Sequence, residues 1–205
     1  MITAKDVQRL RHATGSGMMD AKRALEEVGG DFEQARDLLR ERGVADAKAR
    51  SGRVQTQGAI GHYLHYQAQR PVLGVLVELA SETDFVAKSD DFQEAARDIA
   101  MHVAWARPRW VEREDVPADV VEKETTIVEA QARNEGKPAQ AIERIVAGKM
   151  AKFYADTVLY DQPFVNQDKH GGTIGDMVQQ MSATMGENIG VRNFIRMAVG
   201  GDAAE

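Results

Sequence analysis

"GHYLHYQAQRPVLGVLVELA", residues 61–80, decides the fold. Gly61 to Gln67 alternates, and Pro71 to Ala80 is dense in Val and Leu, so two strands joined across the polar "QAQR" predict a β-hairpin. Downstream, Ser89 caps a helix whose positive end is favoured by Asp90 and Asp91; Phe92, Ala96, Ile99 and Val103 form its inner stripe until Pro108. Pro117 opens a helix to Gly136. Pro138 opens another, with Ile142, Ile145 and Val146 apolar and an interruption expected at Gly148. A short strand over Thr157 to Tyr160 and a turn at "DQPF" follow. Thr173 and Asp176 then spell a capping box for a helix to Met185. Val191, Ile195, Met197 and Val199 take alternate positions opposite Arg192 and Arg196, the pattern of a half-exposed final strand.

Upstream, Thr3 and Asp6 start a helix carrying Val7 and Leu10, which "TGSG" (14–17) ends. A second helix places Met18, Ala21, Leu25 and Val28 inward and stops at Gly29-Gly30. Asp31, with Gln34, caps a third, with Phe32, Ala35, Leu38 and Leu39 facing inward and Gly43 past its end. The expected organisation is a three-helix module over 1–43 and a polar, basic linker over 44–57, helical at first. An α+β core with antiparallel strands over 58–200 and a tail at 201–205 complete it. So small a helical core needs a neighbour.

The 205 residues carry a net charge of −6 and a sequence pI near 5.5, so no nucleic-acid partner is expected. Without cysteine, disulfides, thiolate metal sites and cysteine nucleophiles are excluded. No apolar run reaches the length of a membrane span and the start lacks a signal-like pattern, which predicts a cytoplasmic protein without a membrane partner. GxxxxGK[ST], GxGxxG after a strand, HExxH and GxSxG are all missing. His62 and His65, three apart on a strand, point to opposite faces and make a poor metal pair, so neither a metal nor a cofactor is expected. His102 fits a hydrogen-bonded histidine at a core edge. Glu78, Glu82 and Asp84 suit solvated strand-end positions better than acid/base work.

Phe85, in "SETDFVAKSDDF" (81–92), is the residue without an obvious structural duty. It is expected in a short loop, where it has two readings. It can fold back as a lid on the core, or it can stand outward as an anchor for a partner's pocket, with burial of the ring contributing roughly 1.5–3 kcal/mol. Asp84 would travel with it and act on whatever charge that pocket holds.

Two long stretches, "LRHATGSGMMDAKRALEEVGGD" (10–31) and "ETDFVAKSDDF" (82–92), resemble the signatures of the elongation factor Ts family, the guanine-nucleotide exchange factors of the GTPase EF-Tu. "AMHVA", "GKPAQAIERIVAGKM", "QPFV" and "GENIGVRNFIRM" follow in the family's order. The resemblance implies a ubiquitin-associated-like module that touches EF-Tu through Arg11, Met18 and Met19; core packing is the competing role for Met18. It implies that Thr83, Asp84, Phe85 and Val86 form the segment that wedges beside the partner's Mg²⁺ site and disturbs the ion. His65 would support the contact, and Met185 and Gly186 would lie near the nucleotide side. Such an exchange factor performs no covalent chemistry. Longer members carry two copies of the core half, whereas this chain has one, so two chains are expected to pair through their sheets. Ser81 stands where the family often has Cys, and the terminal strand, Asn193 to Arg196, lacks the bridging cysteine of some short members. A protein- or peptide-binding adaptor of the ubiquitin-associated type, supported by residues 1–43 alone, is the rival reading. An enzyme built on His65, Glu78 and Glu82 is a third.

Overall fold

The computed structural model describes residues 2–201; the 201–205 tail lies outside them except for Gly201. Three helices come first: α1 (Ala4–Thr14), α2 (Met18–Glu27) and α3 (Phe32–Arg50). Thr3 and Asp6 close a full capping box on α1, and Asp31 accepts from Gln34 N at 3.0 Å to start α3. Val7, Leu10, Ala21, Ala24, Leu25 and Ala35 make a buried cluster, flanked by Ile2, Val28, Phe32, Leu38 and Leu39. Met18 departs from the expected inner stripe: it is 45% exposed, and Met19 61%. Helix α3 does not end at Gly43. A Cβ at Gly43 would lie 2.9 Å from the Ala183 methyl, so this glycine serves a close approach of two segments, and the helix runs on to Arg50.

Strands β1 (Gln57–Gln67) and β2 (Arg70–Ser81) form the expected hairpin, and β3 (Gly190–Ala198) pairs with β2 to give a three-stranded antiparallel sheet of order β1-β2-β3. The hairpin turns at Ala68 and Gln69, both with positive φ (48° and 66°), as a tight two-residue connection requires. The fold is α+β. Phe85 sits not in a loop but in a four-residue helix, α4 (Asp84–Ala87). Helix α5 (Asp90–Ala106) stops before Pro108, and a 3₁₀ turn spans Arg113–Asp115. Helices α6 (Ala118–Asn134) and α7 (Ala139–Thr157) pack on each other, and α7 passes through Gly148 without interruption. Nothing stands within 4 Å of a Cβ at Gly148, so packing does not explain that glycine. No strand forms over 157–160. Val158 makes one parallel bridge with Trp110 and the chain then turns through a 3₁₀ segment, Leu159–Asp161. Helix α8 (Ile174–Met185) follows the Thr173/Asp176 capping box, with Asp176 N donating to Thr173 Oγ1 at 3.1 Å.

The chain divides into two compact units. Among the described residues, one comprises 2–59, 79–94 and 177–191, and the other 60–78, 95–176 and 192–201. In the second unit His102 is fully buried, its Nε2 3.0 Å from Gln162 Oε1 and its ring beside Phe164, and burial lowers its pKa below the ordinary imidazole value. Among the described residues no helix is long and apolar enough to cross a membrane, and no group of three His, Asp or Glu could hold a metal ion.

Candidate functional site

The segment 81–89 holds one aromatic ring out to water on a turn whose ends and inner face are bonded or packed. Helix α4 is one turn, too short to persist by itself, so its direction comes from its ends and its buried face. Val86 (8% exposed) and Ala87 point into the protein, while the intervening geometry turns Phe85 outward at 84% exposure. Val86, placed in the partner-contacting segment by resemblance, is thus the helix's inward anchor. Thr83 caps the turn: its Oγ1 accepts from Val86 N at 3.4 Å. Buried Ser81 donates to Thr83 O at 3.0 Å and so ties the end of β2 to the turn. At the other end Ser89 Oγ donates to Val86 O at 2.8 Å and accepts from Phe92 N at 3.4 Å, joining α4 to α5.

Asp84 is exposed and ion-paired with Lys88 at 2.5 Å, one turn on. The hydrogen bond from Lys88, and then its charge, hold the Asp84 carboxyl below the usual carboxylate range. A partner that draws Asp84 towards a cation must first separate this exposed and therefore weak pair.

Two carboxylates organise the base of the turn: Glu82, read from sequence as a solvated acid, and Glu187, given no role there. Glu187 Oε2 accepts from the backbone N–H groups of Glu82 (3.0 Å) and Thr83 (3.1 Å), and its Oε1 accepts from Thr83 Oγ1 (2.5 Å). Glu82 answers by accepting from Asn188 N at 2.6 Å, with Arg53 3.5 Å away. Asn188 Nδ2 donates to the carbonyls of Ser51 (3.1 Å) and Arg53 (2.8 Å). Glu187 and Asn188 lie inside the quoted "GENIG", but a carboxylate–backbone pairing across 104 residues has no signature in one sequence.

Met185, half-buried, and Gly186, exposed with φ +73° at the end of α8, directly precede Glu187. Gly15, between Arg11 and Met18, abuts Thr184: a Cβ there would lie 2.7 Å from the threonine methyl. Arg11, Met18, Met19, Thr83–Val86, Met185 and Gly186 therefore share one compact unit, and Arg11 is exposed. His65 belongs to the other unit, exposed on β1 with its Nδ1 3.4 Å from Tyr63 Oη.

The family model described as elongation factor TS matches residues 41–201. A protein of Fervidobacterium nodosum named elongation factor Ts is 50% identical over 199 residues, covering 97% of this chain and 98% of the relative. Proteins of the same name from Geobacter metallireducens (49% identical) and Carboxydothermus hydrogenoformans (48%) align over 200 residues, covering 97% and 98% of this chain and 90% of each relative. Together with the α+β fold, these matches establish that the chain belongs to the elongation factor Ts family.

Proposed function

We propose that this protein is the guanine-nucleotide exchange factor for EF-Tu, acting in the cytoplasm by inserting Phe85 beside the Mg²⁺ site of the GDP-bound GTPase. Family membership makes it a translation elongation factor; the exchange step is the finer reading. One observation carries it: a phenylalanine ring 84% exposed on a turn whose cap, buried face and base are all held. An aromatic kept in water by a rigid support is an expensive arrangement for a monomer and an effective one for entering a pocket.

In this reading no acid, base or nucleophile is needed. The wedge binds one conformation of EF-Tu better than another, the one in which Mg²⁺ and the phosphate loop hold GDP poorly. Linkage requires reciprocity: whatever factor the protein takes from GDP affinity, GDP takes from its own, so rebinding nucleotide expels it. Arg11, Met18 and Met19 on the 1–43 module, with Met185 and Gly186, supply further contacts to EF-Tu, and His65 supplies another from the second unit. The 44–57 segment links that module to a 58–200 core, and two chains pair through their sheets.

The test is stopped-flow release of a fluorescent GDP analogue from EF-Tu. Acceleration at sub-stoichiometric protein is expected; an unchanged rate in the presence of a demonstrated complex would point to an adaptor instead.

A further inference from the structure

We infer that Glu187 is a positioning residue for exchange, aiming the Phe85 wedge through the Thr83 cap; its functional consequence rests on the exchange reading above. One carboxylate collects two consecutive backbone N–H groups, Glu82 and Thr83, and the Thr83 hydroxyl. The Thr83 N–H is one of the donors that a helix leaves open at its start, and the Glu82 N–H lies one residue before it. Bonds to an ionised acceptor are roughly twice as strong as neutral ones. Thr83 Oγ1 is thereby fixed in direction, because its proton goes to Glu187 and its lone pair faces Val86 N. The cap orients α4, and α4 orients Phe85.

Glu187 is itself held. The next residue, Asn188, is tied by its N–H to Glu82 and by its side-chain amide to Ser51 and Arg53, and Ile189 N donates to Ser182 Oγ at 3.1 Å. The turn after α8 and the turn before α4 therefore clasp each other through two oppositely directed carboxylates. A wedge set this way loses little freedom on insertion. Removing the clasp should slow the maximal stimulated release and leave the half-saturating concentration nearly unchanged, since the remaining contact surface is intact.

Because the chain has no cysteine, Phe85→Cys accepts a single nitroxide label whose electron spin resonance line shape reports the motion of the turn without any partner. Glu187→Ala should sharpen that spectrum, and Glu187→Gln, which keeps a carbonyl acceptor, should restore most of the immobilised component. With Phe85 in place, Glu187→Ala should lower the maximal GDP-release rate about ten-fold, with the Gln variant recovering most of it. Thr83→Val, which removes the hydroxyl but not the carboxylate, should give a smaller change of the same kind and serves if Glu187→Ala folds poorly. An unchanged line shape in both variants overturns the clasp. A mobile turn with an unchanged release rate, where Phe85→Ala does slow release, overturns its role in exchange. A mobile turn where neither Phe85→Ala nor Glu187→Ala alters release sinks the exchange reading and leaves the clasp standing.

Discussion

Phe85 and Val86 are consecutive and equally apolar, yet one side chain stands in water and the other is packed inside. The difference is positional: in a single helical turn adjacent side chains point about 100° apart, so burying Val86 and Ala87 turns Phe85 out. Phe85→Ala therefore removes no internal contact of consequence. We expect an unchanged melting temperature and stimulated GDP release slower by about ten-fold or more, equivalent to about 1.4 kcal/mol. A normal rate in stopped flow would remove the ring from the mechanism. Arg11 is exposed one turn before the end of α1. Arg11→Ala should weaken association with EF-Tu and leave the rate at saturation nearly constant, and equal affinity in a titration would strike it from the contact surface. His102 makes a pH prediction. Gln162 Nε2 donates to the carbonyls of Ala106 and Asp156, which leaves Gln162 Oε1 to accept from His102 Nε2. His102 Nδ1 is buried without a partner, so a second proton has no acceptor there. The folded pKa lies below the unfolded one, so the folded state favours the neutral ring. Stability is then full above the unfolded value of about 6.5 and falls as pH drops through that value towards the folded one. Melting temperatures measured from pH 7.5 to 5.5 should decline, and His102→Gln should flatten that part of the profile.

Glycine at the element scale has two uses, ending a helix and permitting close approach, and one sequence does not say which applies. At Gly61, on β1, the second use is extreme. A Cβ would sit 2.0 Å from the Ala96 carbonyl oxygen of α5 and 2.3 Å from its carbon, both backbone atoms that cannot swing aside. Gly61→Ala should cost about 3 kcal/mol by overpacking, lowering the melting temperature by roughly 6–12 °C; an unchanged transition would show that strand and helix can part. The same ambiguity explains why the end of α3 was misplaced at Gly43, whereas Gly148 neither ends α7 nor serves a close approach. Capping boxes were legible because Thr3/Asp6 and Thr173/Asp176 are three apart and interact locally. The hairpin was legible because its period-two pattern and polar turn are also local. Helix α4 was not, since four residues carry no periodicity. Its support was not either, because Glu187 and Thr83 are 104 residues apart and their pairing leaves no local pattern. Within the site, the motif pointed to Phe85, and only coordinates give the buried Val86 and the clasp beneath it.

Across the whole molecule, one sheet face asks for a partner. Ile60, Leu64 and Tyr66 on β1, Leu76 on β2, and Ile195 and Met197 on β3 are all exposed. They share a side. Leu64 Cδ2 would meet a Cβ at Gly74 at 3.2 Å, Gly74 and Leu76 alternate with buried Val75 and Val77, and Val199 N donates to Val72 O at 2.9 Å, setting β3 in register with that row. An apolar sheet face of this kind marks an interaction surface, and a second copy of this chain is the partner the proposed pairing gives it. Without cysteine, a pair formed through this face would have no disulfide, and mass action would govern it. We expect sedimentation equilibrium to report a dimer in reversible exchange with monomer, and the melting temperature to rise with protein concentration. A charge placed in this row, Met197→Glu on the edge strand β3, would be buried without a counter-ion in the pair. It should weaken self-association by about 100-fold or more while leaving monomer helicity intact, because an unpaired buried charge costs several kcal/mol. A chain that sediments as a monomer at every concentration, or a Met197→Glu variant that dimerises as the parent does, would remove the sheet face from the interface.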